Sequence, residues 1–220
     1  MTKSNGNKLA QDSFVLKANK YTSDVTSWAL EGRMRDAIIQ EHSLSSPFVT
    51  SIHAFCGTAI LAPLSSEGDI CDYVEGVRDG GQEFSPLEKL KVAIHMASGV
   101  AAVHDIKKHP TTNYTAAFAH ADLDVGQFVY YDGVFQLTDF NLGVFVTKRH
   151  KDSNIEACYE SPANRPYLCQ APEFLAYLVN RGTIKNKTLR DLSRNKRVPF
   201  DHSLSDVFSL GTAIYLMVTI

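Results

Sequence analysis

One short stretch of the sequence, residues 120–141, constrains the fold more than any other part of the chain. Asp122 lies near its beginning and Asp139 near its end, and between them two runs of alternating apolar residues flank the dipeptide Asp132-Gly133. Asp-Gly is a preferred dipeptide in two-residue turns, so the pattern predicts a β-hairpin between the two acids. A hairpin returns the chain to its starting point, and we therefore expect the two carboxylates to share one metal site.

Two carboxylates in this arrangement suit phosphoryl transfer. One carboxylate orients the hydroxyl nucleophile, and the other holds the magnesium ion that bridges the nucleotide phosphates. Gln127 lies in the same loop as Asp122, and its amide oxygen is a ligand that can reach a metal there. We therefore expect Asp122 to act on an acceptor hydroxyl, and Asp139 and Gln127 to bind Mg²⁺.

The chain resembles the protein kinase family in motifs that follow the family's order. Residues 120–123 (His-Ala-Asp-Leu) and 139–140 (Asp-Phe) keep the histidine, both aspartates, the leucine and the phenylalanine of the family's catalytic and metal loops. Residues 13–17 are similar to the third kinase strand with its phosphate-binding lysine. Residues 170–173 match the Ala-Pro-Glu motif, and residues 205–211 resemble the long buried helix of the large lobe. The resemblance covers nearly the whole chain.

This resemblance implies an α+β, bilobal protein kinase-like fold that spans residues 1–220. Residues 1–12 would form a disordered tail, 13–64 a partial small lobe, 65–69 the hinge and 70–220 an incomplete, mainly helical large lobe. The small lobe would lack its first strands and its glycine-rich loop, because the residues before Phe14 contain a single glycine. We therefore expect a truncated sequence, with a trimmed kinase fold as the alternative.

The resemblance also assigns roles to individual residues. Lys17 would align the ATP phosphates, with Asp36 of the following helix as its partner and Glu31 as the alternative. Asp206 would accept backbone hydrogen bonds from the catalytic loop. The implied ATP-binding residues are Lys17, Ala62, Ser65, Asp69, Val129 and Asp139, and the implied structural supports are Asp36, His120, Phe140, Glu173 and Asp206.

Four substitutions separate this chain from the usual family pattern. Ala121 replaces the arginine that holds a phosphorylated activation loop, so switching by loop phosphorylation is not expected. Asp124 replaces the lysine that neutralises the transferring phosphate, and a carboxylate there adds repulsion. Gln127 replaces asparagine, and Asn141 replaces a glycine at a position where asparagine tolerates left-handed backbone angles. The pair Gln127 and Asn141 favours a subfamily variant over random loss.

Three functions from different classes remain open. The first is a protein kinase that transfers the ATP γ-phosphate to a protein hydroxyl, with serine or threonine favoured over tyrosine. The second is a pseudokinase that acts as a nucleotide- or protein-binding scaffold, which Ala121 and Asp124 favour. The third is a small-molecule phosphotransferase, although residues 171–173 and 205–211 argue against it. These 220 residues alone are expected to be weak or inactive as an enzyme.

Hydrophobic periodicity predicts the main helices and strands. Apolar residues at helical spacing predict a helix over about residues 25–44 and a core helix over 207–220, and alternation predicts strands over 48–56 and 58–64. A helix is also predicted from residue 85, because Ser, Pro and Glu stand at the positions for the N-cap, N1 and N3.

Composition limits the partners. The 22 basic and 24 acidic residues nearly balance, so no global positive field attracts nucleic acid. The N-terminus lacks the apolar core of a signal peptide, and no apolar run reaches the ~20 residues that span a bilayer. The spacing of Cys56, Cys71, Cys158 and Cys169 does not match a metal site, so buried or free thiols are expected. We therefore expect a cytoplasmic protein with no nucleic-acid partner and no membrane contact. The resemblance to kinases adds ATP and a protein substrate as partners, and the oligomeric state is open.

Overall fold

The computed structural model describes residues 13–18, 26–106, 118–145, 171–172 and 202–219. This part of the chain is mixed α+β, as the sequence predicts. Its helices are α1 (Ser27–His42), α2 (Ile70–Asp79), α3 (Pro86–His104) and α4 (His202–Thr219). Its strands are β1 (Phe14–Lys17), β2 (Ala54–Cys56), β3 (Ala59–Pro63), β4 (Phe118–Ala119), β5 (Phe128–Tyr131), β6 (Val134–Leu137) and β7 (Val144–Phe145). The predicted tail, residues 1–12, and Glu173 lie outside the described residues.

A three-stranded antiparallel sheet carries Lys17 at the end of its first strand. The strand order is β1-β3-β2, and Lys17 of β1 lies opposite Ile60 of β3. Ile60 and Ala62 alternate with less buried residues, as expected for a strand with one covered face. Both are buried together with Ala37 of α1. Helix α1 therefore covers the sheet that presents Lys17.

The strand predicted over residues 48–56 is shorter than expected. β2 forms the last three residues of that range. Val49 instead makes an isolated parallel bridge to Leu137 of β6, and Leu137 N donates to Phe48 O at 2.9 Å. The alternating pattern correctly indicates extended backbone, but the two halves of the segment join different neighbours.

The hairpin predicted between the two acids is confirmed. β5 and β6 pair antiparallel with Tyr131 opposite Val134. Asp132 and Gly133 have φ angles of 50° and 83°, as a two-residue turn of type I′ requires. Phe128, Phe135 and Leu137 of this hairpin are buried in the main hydrophobic core. This packing anchors the hairpin between the loops that carry Asp122 and Asp139.

The capping signal at residue 85 marks the beginning of α3 correctly. Glu88 N donates to Ser85 Oγ at 3.3 Å, and Ser85 N donates to Glu88 Oε2 at 2.9 Å. Ser85 Oγ also donates to Glu88 Oε2 at 2.6 Å, and this bond, together with the one from Ser85 N, holds the pKa of Glu88 below its usual value. The reciprocal pair satisfies amide groups that would otherwise lack partners in the first turn. α3 then runs to His104, and its buried face packs on β6.

Helix α2 is absent from the sequence prediction. It begins after Asp69, whose Oδ1 accepts from Cys71 N at 2.7 Å and from Asp72 N at 3.1 Å. Asp72 Oδ2 in turn accepts from Asp69 N at 3.2 Å. The Asp-x-x-Asp spacing was the available signal, but the glycine at position 76 weakens the helical pattern.

Two helical glycines lead to opposite stability predictions. A Cβ built on Gly99 of α3 lies 2.7 Å from Phe48 O, the oxygen that accepts from Leu137 N, whereas one built on Gly76 of α2 meets no atom within 4 Å. We expect Gly99→Ala to lower the free energy of unfolding by about 1 to 3 kcal/mol through overpacking. Gly76→Ala is expected to raise it by about 0.5 to 1 kcal/mol through helix propensity. Urea unfolding measures both, and equal shifts of the two variants would contradict the close approach at Gly99.

Helix α4 confirms the helix predicted at the end of the sequence, although it begins five residues earlier than expected, at His202. Ala213 and Met217 are buried in the main core, whereas Val207, Phe208 and Tyr215 are exposed.

No helix in the described ranges is long and apolar enough to cross a membrane. Cys56 and Cys71 are free and exposed; Cys158 and Cys169 lie outside the described residues.

Candidate active site

Asp206 of α4 fixes the loop that carries Asp122. Its Oδ2 accepts from His120 N at 2.6 Å, and its Oδ1 accepts from Ala121 N at 2.9 Å. Ala121 has a φ of 62°, in the left-handed region that alanine rarely adopts. Two charge-assisted hydrogen bonds to consecutive amides hold this backbone in place, so the buried Asp122 that follows has a defined position.

His104 is a further partner of Asp206. Its Nε2 lies 3.0 Å from Asp206 Oδ2, and the carboxylate is 1% exposed. The last turn of α3 and the loop before β5 therefore meet at one buried carboxylate. No local pattern in the sequence marks this role of His104, because its partner is more than a hundred residues away along the chain.

His120 links the Asp122 loop to the Asp139 loop. Its side chain is fully buried, and Nε2 lies 2.9 Å from Thr138 O, directly before Asp139. Because a carbonyl oxygen only accepts, Nε2 carries the proton in this contact. The imidazole ring is also in edge contact with Phe140, with 5.3 Å between ring centroids. The side chain of His120 therefore connects the loop of Asp122 with the loop of Asp139.

Gln127 contacts Asp122 directly. Its Nε2 donates to Asp122 Oδ2 at 3.3 Å, and its backbone oxygen accepts from Thr138 N at 2.9 Å. The amide nitrogen faces the carboxylate, which leaves the amide oxygen as the atom that can ligate a metal. The loop that holds Asp122 and the end of β6 are thereby tied together next to Asp139.

Asp139 has strained backbone geometry. Its φ and ψ are 64° and 63°, in the left-handed region, and its side chain makes no cap hydrogen bond to the short 3₁₀ turn at Phe140–Leu142. Phe140 is fully buried in the main core. Such backbone angles in a non-glycine residue persist only where the surroundings hold them. Asp139 is therefore held by its neighbours, with its carboxylate not used as a cap.

Asp36 joins the strand lysine to the Asp139 loop. Its Oδ2 lies 3.8 Å from Lys17 Nζ, and its Oδ1 accepts from Phe140 N at 3.1 Å and from Gln40 Nε2 at 2.8 Å. Asp36 is fully buried, whereas Lys17 is 26% exposed. The structure thus brings Lys17 and Asp36 together, as the sequence analysis expects, and Glu31 is not the partner shown. Gln40 was missed, although its spacing of four residues from Asp36 was the available signal.

Arg35 is a second missed contact between α1 and the Asp139 loop. Its Nε and Nη2 donate to Asn141 O at 3.3 and 3.0 Å. A Cβ added to Gly32, one turn earlier, would lie 3.1 Å from the same oxygen. Helix α1 therefore approaches the loop closely at this turn. No local pattern in the sequence marks a hydrogen bond between residues this far apart.

The segment between β3 and α2 carries two of the residues expected at the nucleotide, Ser65 and Asp69, and Val129 of β5 lies beside it. Ser65 Oγ lies 2.8 Å from Gly68 O and 2.6 Å from Tyr130 O. Asp69 forms an antiparallel bridge with Val129 and caps α2. Ala62, in β3, is buried together with Ala37 of α1. The segment is thus fastened to β5, and Ser65, Asp69 and Val129 lie at one junction.

Asp124 adds negative charge close to this junction. Its Oδ1 accepts from Gly126 N at 2.8 Å. The pKa of Asp124 is raised because burial disfavours the ionised carboxylate, and nearby Asp69 raises it further, while the hydrogen bond from Gly126 partly offsets the change. Burial and the carboxylates of Asp69, Asp72 and Asp124 also raise the pKa of Cys71. The neighbourhood of Asp69 therefore repels a free polyphosphate.

The described residues contain no group of three or more histidine, cysteine, aspartate or glutamate side chains arranged to hold a metal. The expected ligands, Asp139 and Gln127, supply one carboxylate and one amide oxygen. This donor set fits Mg²⁺, which usually takes one or two carboxylates together with substrate phosphates and water. It does not suit a metal held by protein side chains alone.

A cavity of about 450 Å³ lies elsewhere, between α1 and residues 52–55, and none of the expected site residues lines it.

A comparison with models of known protein families found no match for the chain. A comparison with curated proteins found no significant match either.

Proposed function

We propose that this chain is a protein kinase-like domain that binds Mg²⁺ and ATP and transfers the γ-phosphate to a protein hydroxyl, with serine or threonine as the favoured acceptor. One observation carries the proposal: Asp36 contacts Lys17 through one oxygen and Phe140 N through the other. Asp36 therefore brings together a lysine ammonium and the backbone amide of Phe140, the residue directly after Asp139, on one buried carboxylate. Phosphate binding and metal binding are the two tasks that phosphoryl transfer combines.

Each site residue has a role in this proposal. Lys17 pairs with the nucleotide phosphates, and Asp36 keeps its ammonium group in place. Asp139 and the amide oxygen of Gln127 hold the magnesium ion, which supplies charge neutralisation for the phosphates. Asp122 accepts a hydrogen bond from the acceptor hydroxyl and orients it for attack. The adenine and ribose lie along the junction of Ser65, Asp69 and Val129, with Ala62 behind them.

The fold proposed with this function is bilobal. Residues 13–64, which contain the sheet and α1, form the small lobe, residues 65–69 form the hinge, and the following residues form the large lobe. Two contacts support this division: Ser65 Oγ with Tyr130 O, and Asp69 with Val129. Because ATP is an intracellular nucleotide, we also propose a cytoplasmic location.

A pseudokinase that binds nucleotide without transferring phosphate is the second candidate. The observation that favours it is the charge at Asp124, in the position where many kinases carry a lysine. A carboxylate near the transferring phosphate opposes the build-up of negative charge. The hydrogen bond from Gln127 Nε2 to Asp122 Oδ2 also favours the pseudokinase, because it occupies one oxygen of the carboxylate that would receive the hydroxyl.

Calorimetric titration with ATP, with and without Mg²⁺, tests the proposal. We expect binding that requires Mg²⁺, because Asp69 and Asp124 repel an uncompensated polyphosphate. Asp139→Asn keeps the size and the tolerance for left-handed angles but removes the charge, and should weaken Mg²⁺-dependent binding by at least about tenfold. Asp132→Asn, in the exposed hairpin turn, is the matched control. Equal affinities of all three proteins, or no binding by the wild-type chain, would contradict the proposed nucleotide site.

A further inference from the structure

Three residues on consecutive turns of α1 contact the short segment that follows Asp139. Arg35 donates twice to Asn141 O, at 3.3 and 3.0 Å, and Asp36 Oδ1 accepts from Phe140 N at 3.1 Å. Gly32 lies so close to Asn141 that an added Cβ would come within 3.1 Å of its carbonyl oxygen. Helix α1 therefore holds both a donor and an acceptor group of this segment.

The segment needs an external restraint. Asp139 has φ 64° and ψ 63°, left-handed angles that aspartate tolerates better than most residues but that still cost energy in an L-residue. Residue 141 is asparagine, so the neighbouring backbone also lacks a glycine. Hydrogen bonds from a packed helix to the next two residues are the kind of surroundings that keep such a conformation.

Arg35 is better placed than a lysine would be for this restraint. Two nitrogens of its planar guanidinium group converge on one carbonyl oxygen, which fixes the direction of that carbonyl as well as its distance. Asp36 is already occupied by Lys17 and Gln40. Arg35 therefore holds the Asn141 carbonyl, whereas Asp36 also binds Lys17 and Gln40.

We propose that Arg35 is a positioning residue that fixes the left-handed backbone of Asp139 and thereby aims its carboxylate at the metal. This inference rests on the proposed function for its consequence: Arg35 would determine how well the site uses Mg²⁺. Its geometric part, that Arg35 restrains residues 139–143, does not depend on any nucleotide.

Hydrogen exchange measured by NMR on the chain without nucleotide tests the geometric part. We expect Arg35→Ala to speed exchange of the Phe140 and Gly143 amides by about tenfold, since Phe140 N donates to Asp36 and Gly143 N donates to Phe140 O. Arg33→Ala, on the same helix, is the matched control and should change these rates less than about twofold. Arg35→Lys keeps the charge but has a single donor nitrogen, and it should give an intermediate exchange rate. It replaces Arg35→Ala in this test if Arg35→Ala does not fold. Unchanged exchange in Arg35→Ala or in Arg35→Lys would overturn the inference.

Titration with ATP tests the functional part. Arg35→Ala should weaken ATP binding in Mg²⁺ by about tenfold and leave any residual binding in metal-free buffer unchanged, and Arg35→Lys should partly restore the Mg²⁺-dependent component. An equal loss with and without Mg²⁺ would show that Arg35 only fastens α1 and would overturn the positioning role. If the wild-type chain binds no ATP, the proposed function fails, while the exchange rates still decide whether Arg35 restrains the loop.

Discussion

Replacing Asp122 by asparagine should abolish most phosphotransfer while leaving the binding of Mg²⁺ and ATP within about twofold of wild type. An amide of the same shape can keep an oxygen facing Gln127 Nε2, so the buried loop need not rearrange. It cannot accept a proton or orient a hydroxyl as a carboxylate does, and loss of such a group typically costs about 10²- to 10⁴-fold in rate. Asp122 is only 4% exposed, so bulk water does not replace it easily.

The measurement is transfer of radiolabelled γ-phosphate from ATP to the chain itself and to an array of peptides that contain serine, threonine or tyrosine. Asp132→Asn, in the exposed hairpin turn, controls for the loss of one negative charge. Equal transfer by Asp122→Asn and wild type would contradict the assigned role. Tight Mg²⁺-dependent ATP binding by a wild-type chain that labels nothing would favour the pseudokinase over the kinase.

Asp206→Ala should have the largest effect on stability. The substitution leaves His120 N, Ala121 N and His104 without the carboxylate that joins them. Removal of one partner from a buried network of this kind costs about 3 to 5 kcal/mol. Because both amides belong to the loop that carries Asp122, the variant should also lose the defined position of that side chain.

Urea unfolding measures the loss for Asp206→Ala. Thr212→Ala, on the same helix, removes a hydroxyl that bonds Phe208 O one turn earlier, and should change the free energy of unfolding by less than about 0.5 kcal/mol. A loss below about 1 kcal/mol for Asp206→Ala would mean that water or a neighbouring group replaces the carboxylate.

Local chemistry made several elements predictable from the sequence. Ser85 and Glu88 specify the beginning of α3 through their reciprocal hydrogen bonds, and Asp132 and Gly133 specify the hairpin turn through their backbone angles. Both signals act over four residues or fewer, so the rest of the fold does not override them. The contact between Lys17 and Asp36 was also expected, but from the resemblance to kinases rather than from local chemistry.

Other features depended on partners that the sequence places far away. Val49 pairs with Leu137 instead of extending β2, and the packing of the hairpin determines this pairing. Arg35 and His104 looked like ordinary helical residues, because their partners, Asn141 and Asp206, are about a hundred residues distant. Helix α2 has a clear cap at Asp69, but the glycine at position 76 weakens the helical pattern that would predict it.

The left-handed backbone at Ala121 bears on how this chain can change over evolutionary time. An L-residue with a Cβ gives up about 1 to 2 kcal/mol in that conformation, and the position directly precedes Asp122. Glycine would relieve the strain, but it would also let the loop sample other shapes and loosen the side chain beside it. Stability and the precision of the carboxylate therefore oppose each other at this residue, and selection for one of them acts against the other.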